Sequence, residues 1–312
     1  MTTAQQPSVL STDKKESLSK RGQSGIGRYL VRDLPIVPSM ILFCVFLLGP
    51  IVYSFYGAFT DARLSGSKAV NPDFVGFANY SSLFSDSAFY KSILITIAFV
   101  ALSAVVGQNG VGLSLALMLR ESPRVIKGVV QGIVIMAWML PEIVAAFACY
   151  AFFSDQGTLN NMIAVFGMEP RAWLFEFPVA AIIIANIWRG TAFSMLIYSA
   201  ALTEIPEEVL EAATMDGANG RQKLFRITVP MLKNSIFTNT LLVTLQTLGV
   251  FTLIWVMTAG GPGNNSTTLP ILAYQEAFKA GMVGMGTAVS SVLLVLGAIL
   301  SIIYIKVLKP GD

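Results

Sequence analysis

Long stretches without a single charged residue are the feature that most constrains the fold of this chain. Uncharged runs of 27, 28 and 26 residues follow Asp33, Lys91 and Lys279, respectively. Each run is longer than the roughly 20 apolar residues that a helix needs to cross the hydrocarbon core of a bilayer. Only 12% of the residues are charged and 54% are hydrophobic, whereas soluble domains contain about 25% charged residues. The sequence therefore predicts an all-α polytopic membrane protein.

Three further membrane spans are predicted from long apolar stretches that are each interrupted once. Two of them contain one charged residue each, Glu142 in the first and Arg189 in the second. The third run, residues 234–275, is uncharged, but its segment GGPGNNSTT cannot continue a helix, so only its first part forms a span. We therefore predict one membrane domain, residues 34–308, with six transmembrane helices. The predicted spans are about 34–59, 92–119, 128–153, 178–203, 235–258 and 283–306.

The distribution of Lys and Arg predicts the orientation in the membrane. Residues 1–33 form a polar tail without the apolar segment of a secretory signal, so the first span is expected to remain uncleaved. Fifteen basic residues lie in this tail, in the loops 120–127 and 204–233, and at the C-terminus, and five lie in the loops of the other side. Because basic loops stay in the cytoplasm, both termini are predicted to be cytoplasmic, in a multi-pass protein of the cytoplasmic membrane. The net charge of +3 reflects this bias, and no nucleic-acid partner is indicated.

Several classes of chemistry are excluded by what the chain lacks. It has no histidine, which rules out histidine-based catalytic triads and histidine-ligated zinc. Its two cysteines, Cys44 and Cys149, fall inside predicted spans, so a disulfide framework is not indicated. No G-x-x-x-x-G-K-[ST] sequence occurs, so the chain has no recognisable nucleotide site. We therefore expect no catalytic residue, no metal site and no cofactor bound by this chain.

Two charged residues are predicted to lie at similar depth in the membrane. Glu142 follows Lys127 by 15 residues, and Arg189 precedes Glu204 by 15 residues. A charge at the bilayer centre costs about 2.5–3.5 kcal/mol on insertion scales and usually faces a partner or a water-filled cavity. The two residues are expected to face the bundle interior, either as a structural ion pair or as part of a solute path. Weaker candidates for the path are the amides, which more often join helices: Gln108, Asn109, Asn186 and Gln246.

The loop 204–233 carries signals for two short helices. Pro206 and the two Glu residues after it suit the first turn of a helix, and Gly217 suits its C-terminal stop. Asn219 is suited to cap a second helix. A helix–Gly–helix elbow with an apolar strip and no domain to cover it is typical of a docking element. An amphipathic segment on the lipid surface is the alternative.

This elbow resembles the EAA motif of permease subunits of binding-protein-dependent ABC importers. That motif consists of Glu-Ala-Ala, three residues, Gly, nine residues, Ile, one residue and Leu-Pro, and every spacing is kept here. Val229 stands in the position of the usual Leu. The matching residues are Glu211, Ala212, Ala213, Gly217, Ile227 and Pro230.

Three further stretches are similar to the carbohydrate-type permeases, which handle oligosaccharides and glycerol-3-phosphate. They are VGFANYSSLF (75–84), IWRGTAFSMLIYSAALTEIPEEVLEAA (187–213) and TAGGPGNNSTTLPILAYQEAF (258–278). The resemblance extends over roughly residues 35–306 and implies the type I ABC importer permease fold. Glu142 does not match the family pattern.

The resemblance implies a set of partners and a division of roles. A second, homologous permease would complete the pathway, two ATPase subunits would bind ATP and Mg, and an extracytoplasmic solute-binding lipoprotein would deliver the solute. The elbow would contact an ATPase subunit through the motif residues together with Asp216. A loop containing Gly260, Gly261, Pro262 and Asn264 would face the binding protein or cap the cavity, although an ordinary turn is equally compatible.

The implied solute is a sugar, for example a disaccharide such as trehalose or maltose, with an amino sugar or glycerol-3-phosphate as alternatives. A secondary transporter would need a coupling-ion site and usually inverted halves, and the sequence indicates neither. An intramembrane enzyme could use paired carboxylates, which the predicted spans do not contain.

Overall fold

The computed structural model describes residues 36–308, with side chains as far as Lys306. The predicted tail, residues 1–33, lies outside the described residues. The chain divides into two compact units, Met1–Tyr53 and Ser54–Asp312. Within the described part all regular structure is helical, apart from an isolated β-bridge between Thr60 and Phe74. The predicted all-α class is therefore confirmed for this part of the chain.

Four helices are long and apolar enough to cross a membrane. They are α1 (Ile36–Gly57), α2 (Ser87–Arg120), α5 (Pro178–Thr203) and α10, whose apolar part is Val283–Lys306 within Val283–Leu308. The first contains a π-helical section at Cys44–Leu48 and the second one at Val100–Gln108.

Two further spans are formed by pairs of bent helices. The helices α3 (Arg124–Met139) and α4 (Glu142–Phe153) belong to one pair, and α8 (Lys233–Leu248) and α9 (Thr252–Thr258) form the other. The number of spans among residues 36–308 is thus four, or six if each bent pair is one span.

The remaining helices are short. Two of them lie between α5 and α8: α6 (Glu207–Met215) and α7 (Gly220–Lys223), the latter continued by π-helical Leu224–Thr228 and by Val229–Met231. The others lie in connections elsewhere in the chain: Ser67–Val70, Ala78–Ser85, Thr158–Val165, Trp173–Glu176 and Leu269–Tyr274, which is continued by π-helical Gln275–Lys279.

Two predicted spans are divided by identifiable residues. At the span predicted at 128–153, α3 makes an angle of 105° with the segment Glu142–Val165, which begins with α4. Pro141 lacks a backbone N–H, and Leu140 before it takes the extended ψ of 136° that a following proline favours. The span predicted at about 235–258 bends by 51° between α8 and α9, after Gly249. The prediction gave each as one span and specified no bend, and the structure adds the bend.

The centre of the larger unit is the close contact between α2 and α5. A Cβ added to Gly112 would lie 2.5 Å from Cβ of Ser194 and 2.9 Å from the backbone nitrogen of Met195. Only a glycine therefore lets the two helices approach this closely. Beside this contact, a buried apolar cluster joins both helices to the elbow; its fully or nearly buried members are Ala116, Leu119, Met195, Tyr198, Ala201, Leu202, Ile205 and Leu232.

Candidate functional site

The elbow, defined as residues 204–233, begins with a well-formed helix start. Pro206 precedes α6 with φ −58° and ψ 136°, and Glu207 and Glu208 lie in the first turn. Their carboxylates complement the positive end of the helix dipole. The helix therefore begins where the sequence predicts it.

The stop of α6 is a Schellman motif centred on Gly217. The N–H of Ala218 donates to the carbonyl of Ala213 at 2.9 Å, and the N–H of Gly217 donates to the carbonyl of Thr214 at 3.0 Å. Gly217 has φ +81°, in the left-handed region that this motif requires. The sharp reversal between α6 and α7 thus depends on a glycine at this position.

The second arm is fixed by a capping box. Oδ1 of Asn219 accepts from the N–H of Gln222 at 2.9 Å, and Oε1 of Gln222 accepts from the N–H of Asn219 at 2.8 Å. Nζ of Lys223 donates to Oγ1 of Thr214 at 3.2 Å, which connects the second arm to the first. The elbow is therefore a defined turn between two helices, with hydrogen bonds across it.

Both ends of the elbow are anchored in the core. Ile205 is 6% exposed and Leu232 is 1% exposed, and both belong to the apolar cluster that contains Tyr198. Ala213, in the last turn of α6, is also buried. A displacement of the elbow would therefore be transmitted to α5 and α8 through packed side chains.

Most of the residues predicted to contact the ATPase, which are the EAA residues and Asp216, face outward. Ala213 is buried and Ile227 is half-buried. The exposed members are Glu211, Ala212, Asp216, Gly217 and Pro230. Two large apolar side chains of the elbow are exposed as well, Met215 at 89% and Phe225 at 60%. Such exposure of large apolar side chains on an ordered turn indicates a contact surface.

Three of the predicted path amides are engaged between helices. Nε2 of Gln108 donates to the carbonyl of Asn186 at 3.1 Å, and Nδ2 of Asn186 donates to Oγ of Ser103 at 2.8 Å. Oδ1 of Asn109 on α2 accepts from the hydroxyl of Tyr198 on α5. These amides hold helices together, which was the alternative role considered for them. Gln246, by contrast, is exposed on α8.

Glu142 and Arg189 do not form the ion pair that their matching depth suggested. Among the salt bridges of residues 36–308, none joins these two side chains. Each is half-buried and has a buried polar atom without a hydrogen-bond partner, Oε1 of Glu142 and Nε of Arg189. Glu142 lies in the first turn of α4, after the break at Pro141, where the helix dipole supplies part of its stabilisation.

A buried polar cluster around Asn239 was missed at the level of the sequence. Its Nδ2 donates to Oδ1 of Asn109 and to Oγ of Ser194, both at 2.9 Å, and Oδ1 of Asn109 also accepts from the hydroxyl of Tyr198. The signal in the sequence was an Asn inside an uncharged predicted span, which indicates an interhelical hydrogen bond.

The loop with Gly260, Gly261, Pro262 and Asn264 is an ordered turn. Oγ1 of Thr267 donates to the carbonyl of Gly260 at 2.9 Å, and Oγ of Ser266 donates to the carbonyl of Gly261 at 2.8 Å. Gly260 is buried, whereas Asn264 is exposed at the tip. Gly261 and Pro262 border an open cleft of about 770 Å³, whose lining also includes Tyr150, Asp155, Gln156 and Phe175.

A helix side chain holds this loop in place. Nζ of Lys91 on α2 donates to Oδ1 of Asn265 at 2.6 Å and to the carbonyl of Gly263 at 3.2 Å. The loop and the cleft therefore lie near the N-terminal end of α2, whereas Leu119 at its other end packs in the cluster that anchors the elbow.

Charged groups in the connections have shifted pKa values. A hydrogen bond from Lys68 holds the pKa of the Asp61 carboxyl below its usual value, and the carboxylates of Asp73 and Asp61 raise the pKa of Lys68. Burial raises the pKa of Glu276, and the nearby charge of Asp86 adds to this effect. The contacts of Lys68 with Asp61 and Asp73 stabilise the connection between α1 and α2, whereas the surroundings of Glu276 disfavour its ionised form.

Comparison with known proteins identifies the family. The family described as "binding-protein-dependent transport system inner membrane component" matches residues 108–309. A trehalose/maltose transport system permease protein, MalF, of Thermococcus litoralis is 33% identical over 279 residues, which cover 88% of this chain and 92% of the relative. A sulfoquinovosyl glycerol transport system permease protein, SmoG, of Agrobacterium fabrum is 30% identical, with 92% of this chain and 93% of the relative covered.

The fold has a counterpart among solved structures. A chain of a bacterial ABC transporter involved in the import of the acidic polysaccharide alginate superposes with a TM-score of 0.79 at 23% identity, covering 92% of this chain and 99% of that chain. This likeness concerns the fold and confirms the predicted importer permease architecture. The matched segment 108–309 includes the elbow and most of the helices described above. The chain belongs to the family of binding-protein-dependent transport system inner membrane components.

Proposed function

We propose that this chain is one of two permease subunits that together form the translocation pathway of an ATP-driven sugar importer. The elbow receives the movement of a partner ATPase, which binds ATP and Mg. The chain has no recognisable nucleotide site of its own. The two relatives named above are transport system permease proteins. One is described as serving trehalose and maltose, and the other sulfoquinovosyl glycerol.

The observation that carries this proposal is the geometry of the elbow. The EAA residues form a hydrogen-bonded turn whose outer face is exposed and whose two ends are anchored in the core. Met215 and Phe225 add exposed apolar surface to this turn. An anchored turn with an apolar outer face is suited to fit into a cleft of a partner and to transmit a displacement.

Copurification from native membranes tests the ATPase contact. The tagged chain, extracted in mild detergent, should retain a second permease and an ATPase, identified by mass spectrometry. Met215→Asp should lose most of the ATPase and keep the second permease, because it places a charge only in the elbow contact. Met168→Asp is the matched control, since Met168 is also exposed but lies outside the elbow. Retention of the ATPase by Met215→Asp, or loss in both variants alike, would contradict the proposed contact.

The solute path is proposed to pass along Glu142, Arg189 and Gln246. Glu142 and Arg189 each keep a buried polar atom without a partner, and Gln246 is exposed on a membrane helix. Polar groups of this kind inside a membrane usually face a path or a partner. The breaks at Pro141 and Gly249 support this assignment, because interrupted helices often border transported solutes.

The loop with Gly260 to Asn264 is proposed to face an extracytoplasmic solute-binding protein. The loop is ordered and its tip is exposed. One of the solved structures with this fold, at 24% identity, is an alginate transporter in complex with an alginate pentasaccharide-bound periplasmic protein.

Uptake of radiolabelled trehalose and maltose by reconstituted complexes would test the proposed solute class. Glycerol-3-phosphate and an amino sugar serve as the alternatives, and uptake of none of these would contradict the proposal.

A further inference from the structure

Three membrane helices meet in a buried polar network close to the elbow. Nδ2 of Asn239 on α8 lies 2.9 Å from Oδ1 of Asn109 on α2, 2.9 Å from Oγ of Ser194 on α5 and 3.1 Å from the hydroxyl of Tyr198 on α5. The Tyr198 hydroxyl in turn donates to Oδ1 of Asn109. Asn239, Ser194 and Tyr198 are 0% exposed and Asn109 is 8% exposed. One amide therefore connects all three helices.

This network lies next to the helix ends that carry the elbow. Asn239 follows the first residue of α8 by six positions, and Tyr198 precedes the last residue of α5 by five, which is less than about two helical turns in each case. Tyr198 also packs in the apolar cluster that contains Ile205 and Leu232, the anchors of the elbow. The elbow and the network are therefore parts of one continuous packed region.

Hydrogen bonds give this region a property that apolar packing does not provide. A bond from Nδ2 of Asn239 to Oδ1 of Asn109 is directional, so it fixes both the rotation and the axial position of α8 against α2. Apolar side chains of similar size stabilise a helix contact about as well but accept more than one register. The polar network thus favours movement of the helices together over sliding of one helix along another.

One acceptor in the network has no partner. Oδ1 of Asn239 is buried and receives no hydrogen bond, although the Tyr198 hydroxyl lies close to the same amide. In this network the Asn239 amide therefore acts as a donor, toward Asn109 and Ser194.

We propose that Asn239 is a positioning residue for coupled transport. Through Asn109 and Tyr198 it joins α2, α5 and α8, so that displacement of the elbow moves these three helices as one body. This inference rests on the proposed function, since it assigns the next step after an ATPase moves the elbow.

The test is the number of sugar molecules imported per ATP hydrolysed. The complete complex, with its second permease, ATPase and loaded binding protein, is reconstituted in proteoliposomes. Asn239→Leu is expected to lower this ratio at least about fivefold, the lower end of typical coupling between sites, while ATP hydrolysis continues. Thr238→Val, at the exposed neighbouring position on α8, should leave the ratio unchanged.

Two further variants separate coupling from stability. In the variant Asn109→Leu/Tyr198→Phe/Asn239→Leu, the main polar partners are replaced together, so thermal stability should exceed that of Asn239→Leu alone. The import ratio should nevertheless stay low. Tyr198→Phe removes one hydroxyl only, so it should assemble like the wild type and show a smaller drop in the ratio.

Several outcomes would overturn the inference. If the network serves stability alone, the import ratio of assembled Asn239→Leu and Tyr198→Phe complexes will equal that of the wild type. Recovery of the ratio in the triple variant would likewise show that apolar packing suffices. A wild-type complex that neither hydrolyses ATP nor imports sugar would instead contradict the proposed function, and so the two failures are distinguishable.

Discussion

At the scale of single residues, the shape of the elbow depends most directly on Gly217. Its φ of +81° lies in the left-handed region, where a side chain costs about 1–2 kcal/mol. A Cβ added there would meet no heavy atom within 4 Å. The cost of a substitution would therefore come from the backbone of the turn and not from a clash with the core.

Gly217→Val is accordingly expected to fold and insert like the wild type but to distort the turn between α6 and α7. The amount of copurified ATPase per permease, or the ATP hydrolysis stimulated by loaded binding protein, should fall. Gly220→Val is the matched control, because Gly220 also has open space around it and no positive φ. Undiminished transport by Gly217→Val would count against the assignment of the elbow as the coupling element.

The contact between α2 and α5 depends on Gly112 because no space is left for a side chain there, and not because of its φ. Gly112→Ala places a Cβ 2.5 Å from Cβ of Ser194, so α2 and α5 must separate. We expect a loss of about 1–3 kcal/mol, the usual cost of overpacking, seen as a lower midpoint of thermal unfolding in detergent. Gly110→Ala, on the exposed side of the same helix with no heavy atom within 4 Å, should be neutral or slightly stabilising. Equal midpoints for the two variants would contradict this account of the helix contact.

At the scale of elements, the local signals in the sequence predicted local structure well. The helix start at Pro206, the stop at Gly217 and the cap at Asn219 depend on residues within a few positions, and all three are present in the structure. The bends at Pro141 and Gly249 were not predicted, although both residue types were visible. The reason is physical: a proline or glycine permits a bend, while the packing of other helices decides its angle.

The Asn239 network shows that local sequence signals also fail to predict contacts between distant residues in the candidate site. Asn109 was recognised as a polar residue at membrane depth, but its partners Tyr198 and Asn239 lie 89 and 130 residues away in the chain. No periodicity within one helix indicates which positions of another helix it will face. The same is true of Glu142 and Arg189, whose equal depth in the sequence did not lead to an ion pair.

The segment between α1 and α2 contains an element whose stability should depend on pH. Asp61 lies 2.9 Å from Nζ of Lys68, and Asp73 contacts the same amine. Because the pKa of Asp61 is lowered, its ionised carboxylate contributes to the free energy of unfolding at any pH above the unfolded pKa of 3.8. This contribution is lost as the pH falls through the lowered pKa. The raised pKa of Lys68 gives a second contribution to the free energy of unfolding. It is fully present below the unfolded pKa of 10.5 and is lost as the pH rises through the raised pKa.

Lys68→Met should therefore raise the midpoint of the Asp61 carboxyl titration, followed by NMR of isotope-labelled protein. The reason is the loss of the hydrogen bond that stabilises the carboxylate. Lys91→Met removes a lysine of another element, one that holds Gly263 and Asn265. It should leave the Asp61 midpoint where it is in the wild type. A common midpoint in the wild type and Lys68→Met would show that the Lys68 contact is absent in solution.

At the scale of the whole molecule, the exposed apolar surface implies two kinds of surroundings. Many large apolar side chains of the membrane helices are exposed, for example Ile184 at 52% and Val129 at 57%. Lipid covers such surface in a membrane, and a second permease is proposed to cover part of it. The half-buried Glu142 and Arg189 differ from this apolar surface, since neither charge is satisfied by lipid.

The orientation of the chain in the membrane is a prediction from its charge distribution and is directly testable. Fifteen Lys and Arg residues lie on the side predicted to be cytoplasmic, and five on the other. The elbow and the loop at 260–268 are joined through α8 and α9, so a single crossing by this pair places them on opposite faces of the membrane. Arg221 in the elbow and Asn264 in the loop are both exposed and so suit labelling.

Cysteines introduced at these two positions, in a protein with Cys44 and Cys149 replaced by Ser, would report the orientation. A membrane-impermeant maleimide should label Asn264→Cys in intact cells, because that loop is proposed to meet the binding protein outside. Arg221→Cys should react only after the membrane is made permeable, since an ATPase contact requires the elbow to be inside. The reversed pattern would contradict the positive-inside orientation. It would also remove the elbow from the compartment that supplies ATP, and the coupling role proposed for Met215 and Gly217 could not hold.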